Sequence, residues 1–555
     1  MRSILLSLVL LLGISGALYA QDLTVSGTVT DGGGEPVPGA NVLLKNTTVG
    51  TVTDIEGNYR LPVSDADDAV LSYSFIGYGT IEEEVNGRST INVTLADDVS
   101  QLSEVVVTGY GSQNKRDLTG NIASVSGEEL ENIPVPSLEQ AMQGRAAGVF
   151  IESNSGKLGQ GIKVRVRGSS SVTASNQPLY VVDGIPITSQ SQSNPTANSD
   201  TNPLADINFN DVESVEVLKD ASAAAIYGAR ASNGVVLITT KKGKSGKTTF
   251  NLDAFTGFNE PTNRREFLNT QEYVELFTEA AINSDISEEF VQNRFTRYGA
   301  GSEAAWQIPG EPGYVDTDWQ DEIFRRGANS QVNLSANGGS EKTRFYVSGS
   351  YSDQEGIIKT NRFRRYSGRL NLDHQATEKL NFGVNFSLSR SITDRLPNDN
   401  SFSTPVQSIA LQPMTPPIDP RTGELSGNYT QYYNPLIDFA YASRVTSVFR
   451  TISNAFAQYQ IAPALSFRSE FSIDLLMQNE EEYFGKETAR NSSAPNGLGF
   501  NRWVQVGNYN TNNFFQYAPT IGENHSVEAV VGMSYQQSTT DESSVEAQQF
   551  PSNAY

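Results

Sequence analysis

Residues 102–111 read LSEVVVTGYG, and the rest of the chain is read outward from this stretch. Val105, Val106 and Val107 favour an extended backbone, because branching at Cβ restricts their rotamers in a helix. The run does not alternate as a half-buried strand does. It stands between two segments that each have the pattern of a small domain. By residue type alone it is a linker or a domain's last strand. An extended linker peptide also has the form that adds as a strand to another protein's sheet edge. The candidate partner-binding residues are therefore Ser103, Glu104, Val105, Val106, Val107, Thr108, Gly109 and Tyr110.

The chain opens with Arg2, an apolar run from Ile4 to Ile14, and the small-residue pattern Ala17-Leu18-Tyr19-Ala20 before Gln21. This is the form of a secretory signal peptide over residues 1–20. There is no cysteine, which excludes disulfides, thiolate metal sites and cysteine nucleophiles. No later run of apolar residues is long enough for a membrane-crossing helix, so a membrane role requires a closed β-barrel. A net charge of −23, from 63 acidic and 40 basic residues, disfavours nucleic acid.

Residues 22–97 alternate short strands with turns. LTVSGTVTD, NVLLKN, TVTDIEGNYRLPV, LSYSFIGYG and STINVTLAD give the spacing of a β-sandwich. GTVTD, PVPGANV and TDIEGNYRL resemble the carboxypeptidase-regulatory-like domain. Asp54, Glu56 and the group Asp65, Asp67 and Asp68 lack the ligand spacing of a calcium loop and read as solvated turns. Residues 113–243 mix helices and strands. Ser126 and Glu129 have capping-box spacing, Ser137 caps a second helix, and the alanines 221 and 223–225 predict a small-residue helix.

From residue 248 to 555 the strands lengthen. Leu380, Phe382, Val384, Phe386 and Leu388 alternate with polar residues. Leu465, Phe467, Phe471, Ile473 and Leu475 share one phase, opposite Ser466, Arg468, Glu470, Ser472 and Asp474. A period of two places these sets on opposite faces, as a transmembrane barrel requires. Asn269–Arg297 reads as a helical insertion and Pro397–Pro435 as a long surface loop.

VRVRGSSS, PLYVVDGIPI, DVESVEVLKDASAAAIYGARASNGVVLITTKKG and LSEVVVTGYG resemble the plug and TonB-box segments of TonB-dependent outer-membrane receptors. The SusC/RagA-like branch is the one they resemble, and TDWQDEIFRRGANSQVNLSANGGSEKTRFYVSGSYSDQEGIIK resembles its first barrel hairpin. The resemblance implies a mainly β chain: an N-terminal β-sandwich, an α+β plug domain and a transmembrane antiparallel β-barrel of 22 strands when complete. It implies location in the bacterial outer membrane, and active uptake of an oligosaccharide or peptide. The implied partners are TonB with its ExbB/ExbD energy coupling, a SusD-like surface lipoprotein and outer-membrane lipid.

About ten barrel strands are expected here, and at ~4.8 Å spacing and ~40° tilt they enclose a radius of roughly 10 Å. A plug of this size has a radius of gyration of about 14 Å, whereas 22 strands give a radius of roughly 22 Å by the same geometry. The chain is therefore expected to be an N-terminal fragment with an incomplete barrel.

Nothing in the sequence suggests an enzyme, a cofactor or a metal site. His374, read on the polar phase of its strand, and His525, read at a turn, have no ligand partner at useful spacing. A phosphate loop at Gly246-Lys247-Thr248 fails because Lys241 stands where its first glycine is needed. The basic run Arg362, Arg364, Arg365 and Arg369 reads as strand-end and lumen charge. Tyr180, Trp306 and Trp319 are aromatic candidates for sugar stacking, with packing as the alternative. Two other functions fit the class: a secreted β-sandwich adhesin, and a TonB-linked signalling receptor.

Overall fold

The computed structural model describes residues 23–552, apart from 46, 48, 64–68, 76–77, 97–104, 109–110, 115–121, 132, 134, 136, 173–174, 195–199, 221–223, 291–313, 398–403, 420–421, 428–431, 489–495 and 522–524. The signal-peptide segment, the group Asp65, Asp67 and Asp68, and Trp306 lie outside the described residues.

The first unit is a two-layer sandwich. Its strands are β1 (Leu23–Asp31), β2 (Asn41–Leu44), β3 (Gly50–Val52), β4 (Asn58–Val63), β5 (Val70–Ser74), β6 (Ile81–Glu84) and β7 (Val93–Leu95). One sheet has the order β4-β1-β7 and the other β3-β2-β5-β6. Alternate residues of both sheets, among them Val25, Val29, Leu61, Leu71 and Leu95, meet in one core. Tyr59 and Tyr73 share a 2.6 Å hydrogen bond inside it. Asp54 closes the turn to β4 by accepting the amides of Glu56 and Asn58 at 2.9 and 2.8 Å, a structural use of its carboxylate.

A short pair, β8 (Val105–Thr108) and β9 (Gly111–Asn114), follows. The plug strands are β10 (Ile122–Ser126), β11 (Val149–Ser153), β12 (Ile162–Val166), β13 (Leu179–Val182), β14 (Ile185–Pro186), β15 (Val212–Leu218) and β16 (Val235–Thr240). Five of them form a mixed sheet in the order β10-β15-β16-β13-β14, and β11 and β12 form a separate hairpin. Ser126 and Ser137 cap short helices as their spacing predicts, accepting the amides of Glu129 and Gln140. Of the alanines expected in a small-residue helix, Ala221 and Ala223 lie outside the described residues, and Ala224 is helical, its amide donating to Asp220 O at 3.1 Å. Ala225–Ala231 consists of two 3-10 turns broken at Gly228, whose φ of 67° reverses the backbone.

The remaining unit is one antiparallel meander. Its strands are β17 (Gly246–Asn259), β18 (Gly327–Gly339), β19 (Thr343–Glu355), β20 (Arg362–Gln375), β21 (Leu380–Asp394), β22 (Ala442–Ala462), β23 (Leu465–Phe484) and β24 (Leu498–Tyr517). A minor pair, β25 (Thr520–Ile521) and β26 (His525–Ser526), precedes the last strand, β27 (Ala529–Gln548). Among the described residues the sheet has nine strands rather than about ten. Turns such as 340–342, 376–379 and 463–464 are tight at one end, while the connections at the other end are long.

The burial is inside out relative to a water-soluble sandwich. Phe382, Val384, Phe386, Leu388 and Phe471 are exposed on the outer face. Gln331, Asn371, Asp474 and Glu480 are 2%, 1%, 0% and 1% exposed on the inner one. Apolar surface outside and polar surface inside is the arrangement that hydrocarbon selects. Among the described residues no helix is long and apolar enough to cross a membrane. His374 is a correction: it shares the outer phase of Leu370 and Leu372, and its ring packs tilted against Phe382, with 5.0 Å between centroids.

The long connections also fold. The helical insertion is the helix Thr270–Ile282, closed by an Asn269–Glu272 capping box. The loop expected at Pro397–Pro435 is more than surface chain. Met414 is buried, Trp319 donates its indole N–H to Gln412 O at 3.1 Å, and Thr317 N reaches Pro413 O at 2.7 Å.

The plug runs into β17 through a crowded passage. A Cβ at Gly243 would stand 2.2 Å from Phe345 N on β19, so no side chain fits without moving backbone. Gly243→Ala is expected to destabilise the plug–barrel unit by about 2 kcal/mol or more, read as a lower melting temperature of the purified protein. An unchanged temperature would show that the passage yields freely.

Candidate functional site

The plug is held by charges on the inner face of the strands. Arg450 on β22 and Asp474 on β23 lie one strand apart and pair at 2.9 Å, each almost wholly buried. A guanidinium has five donors in a planar fork, and one carboxylate cannot use them all. Arg450 spends the rest on the plug, donating to Pro203 O and Thr188 O at 2.8 Å each. Asp474 accepts the Thr188 amide at 2.8 Å. Asn508 on β24 completes the clamp by donating to Thr188 Oγ1 at 2.7 Å.

Two further clamps grip neighbouring parts of the same plug segment. Arg365 on β20 donates to Ala205 O and Ile207 O at 2.7 and 3.1 Å, while Ser391 on β21 donates to Asp206 at 2.6 Å. Burial pushes the Asp206 carboxyl up, and Arg450, Ser391 and Arg365 pull it back. Next to them Glu480 on β23 accepts from Arg395, Arg502 and the Asn194 amide. Arg395 also donates to Ser193, and Arg502 to Gln192 O.

A fourth set holds the far end of the plug sheet. Arg369 lies between Asp183 and Asp211, and Tyr346 donates to Asp211 at 2.9 Å. Asn371 binds Thr240 and Lys241 O. The clamped stretches therefore lie at Asp183–Thr188, Gln192–Asn194 and Pro203–Asp211, and again at Thr240–Lys241. Lys157 and Leu158 add contacts to Pro397 O and Asn361. β10 lies at the edge of the plug sheet and is paired to β15 from Ile122↔Leu218 to Ser126↔Ser214.

Glu139 joins the plug core to the clamp. It is buried, and Asn202 Nδ2 donates to it at 3.3 Å. Asn202 also caps Leu204 N at 3.0 Å, next to the Pro203 carbonyl that Arg450 holds. Burial pushes the Glu139 carboxyl up, opposed by bonds from its own amide, Asn202 and Ser137.

Of the candidate partner-binding residues, Val105, Val106, Val107 and Thr108 form β8, extended as expected. Ser103, Glu104, Gly109 and Tyr110 lie outside the described residues. Tyr180 and Trp319 are buried packing residues. The arginine run divides its roles: Arg362 pairs with Asp353 and Arg364 with Asp394, while Arg365 and Arg369 reach the plug. Sequence reasoning did not single out Arg450, Arg395 or Glu480. The available signal was a full charge on the inward phase of a strand.

A TonB-dependent Receptor Plug Domain is recognised at residues 114–235 and a CarboxypepD_reg-like domain at residues 25–107. TonB-dependent receptor P3 of Formosa agariphila is 32% identical, over 100% of this chain and 51% of its own length. TonB-dependent receptor SusC of Bacteroides thetaiotaomicron is 38% identical over 69% of this chain and 35% of its own. The RagAB peptide importer in its open-open state superposes with a TM-score of 0.68 at 27% identity, covering 81% of this chain and 51% of that one. The chain spans about half the length of the first curated relative it matches.

Arg450→Ala leaves Asp474 buried without its cation and two plug carbonyls without a donor. It is expected to cost about 3–5 kcal/mol of plug seating, measured as added ion conductance of the protein in planar bilayers. Conductance equal to the parent's would refute the clamp. Glu139 makes a pH prediction. Its folded-state pKa lies above the unfolded value of about 4.3, so its stabilising contribution is full below that value and is lost as pH rises through the raised pKa. Glu139→Gln is expected to flatten the fall in denaturation midpoint between mildly acidic and neutral pH; an unchanged slope would exclude Glu139 as its source.

Proposed function

Because the chain belongs to the SusC/RagA-like branch of the TonB-dependent outer-membrane receptors, we propose that it serves TonB-driven uptake of a nutrient oligosaccharide or peptide. Ser103 to Tyr110 is the segment handed to TonB, with Val105–Thr108 supplying the strand and Glu104 a charge for specificity. Backbone pairing to a sheet edge gives the grip, and alternate side chains give selectivity. ExbB and ExbD energise TonB, and a SusD-like lipoprotein covers the end of the barrel with the long connections. One solved relative is described as a peptide importer, which supports peptides as one substrate class.

The observation that carries this reading is the order of attachments along the chain. A pull applied at β8 opens its own pair with β9 and then meets β10, an edge strand of the plug sheet paired to β15. The buried clamps lie further on, at Asp183–Asp211 and beyond. Edge pairings exposed to a pull open one after another, and local units open at less cost than the whole domain. The plug thus yields from its first strand while its clamped segment stays on the wall.

Deleting Ser103 to Tyr110 is expected to abolish growth on the substrate while the receptor still reaches the outer membrane. Val106→Pro, which removes one donor from the strand, is expected to do the same in weaker form. Normal uptake by the deletion variant would sink the proposal.

A further inference from the structure

We propose that the folded long connections form a binding site for short peptides with free, charged ends, which captures substrate before it reaches the plug. The site is a cavity of about 820 Å³. That lies within the usual range for small-ligand sites. Its walls are fixed by bonds between distant segments. Thr317 N binds Pro413 O, Trp319 binds Gln412 O, and Thr270 binds Asp316 and Val315 O. Gln412 in turn donates to the Tyr273 hydroxyl at 3.0 Å. The cavity therefore exists before a ligand arrives, which lowers the ordering cost of binding.

The lining carries both charges and an apolar surface. Arg265, Asp316, Asp318 and Phe267 all face it. Asp318 uses Oδ1 to cap Gln320 N at 2.8 Å, and the Arg265 guanidinium has no partner among the described residues. A neutral sugar supplies no counter-charge for that cation. An acidic sugar supplies the anion but nothing for the carboxylates. A peptide with free ends offers a carboxylate to Arg265, an ammonium to Asp316 or Asp318, and apolar side chains to the half-exposed Phe267 ring. Recognition runs through side chains here, because Gln320 already occupies both the N–H and the C=O of Arg265. A strand added along that lip finds those backbone groups taken.

This inference rests on the uptake reading but is measured without TonB. The probe is a synthetic hexapeptide library, applied to the intact receptor in detergent, with the same library acetylated and amidated as control. A printed array of neutral and acidic oligosaccharides forms the third arm. Free-ended peptides are expected to bind, with blocked ones roughly tenfold weaker. Arg265→Ala and, separately, Phe267→Ala are expected to reduce peptide binding by a similar factor, with far-UV circular dichroism unchanged. Equal binding of blocked peptides, binding to sugars alone, or full binding by both variants would overturn the proposal. A receptor lacking Ser103 to Tyr110 is expected to bind the library normally. If that deletion variant still imports substrate, the uptake reading fails and the peptide site stands.

Discussion

Arg450 and Arg365 are buried to about 1% exposure inside a wall whose other face is apolar. A guanidinium in that position cannot shed its charge and loses heavily without acceptors. The wall alone offers Arg450 one carboxylate, and the plug supplies backbone carbonyls for the remainder. The plug's seat is thus defined by unsatisfied donors on the strands as much as by shape. Removing either side leaves buried polar groups exposed to nothing, so wall and plug specify one another.

The contacts traced between wall and plug are polar. A dry apolar seat of the same area would hold more tightly and would expose greasy surface when opened. A hydrogen bond from a charged guanidinium to a backbone carbonyl has a net strength of about 1.5–3 kcal/mol. Clustering such contacts at Asp183–Asp211 and Thr240–Lys241 concentrates resistance in one part of the plug. β10, at the sheet edge and the first strand of the plug sheet after β8, is held by its ladder to β15 and by Val125 in the plug core, with no clamp to the wall among the described residues.

At the end of the strands with long connections, the same economy builds a cap. The chain between β17 and β18 and the chain between β21 and β22 bury Trp319 and Met414 between them. Their backbone groups, which a free loop would leave to water, are bonded across the contact. That folding turns long connections into walls, and walls make a cavity with fixed charges.

Much of this was legible in the sequence, because the relevant rules are local. Period-two alternation at Leu380–Leu388 and Leu465–Leu475 fixed inside and outside for those strands, and it was sufficient for His374 as well, which stands two residues beyond Leu372 on the outer phase. Ser126 and Ser137 announced their helices, since a cap needs only its own next turn. The valine run announced its extended form. What local pattern did not carry is which inward charges meet the plug: Arg450 meets Pro203 and Thr188 across 247 and 262 residues. Such pairings arise only when the sheet curves around a separately folded domain. The choice among many similar inward-facing arginines is then made by three-dimensional proximity and by the need of each buried donor for an acceptor.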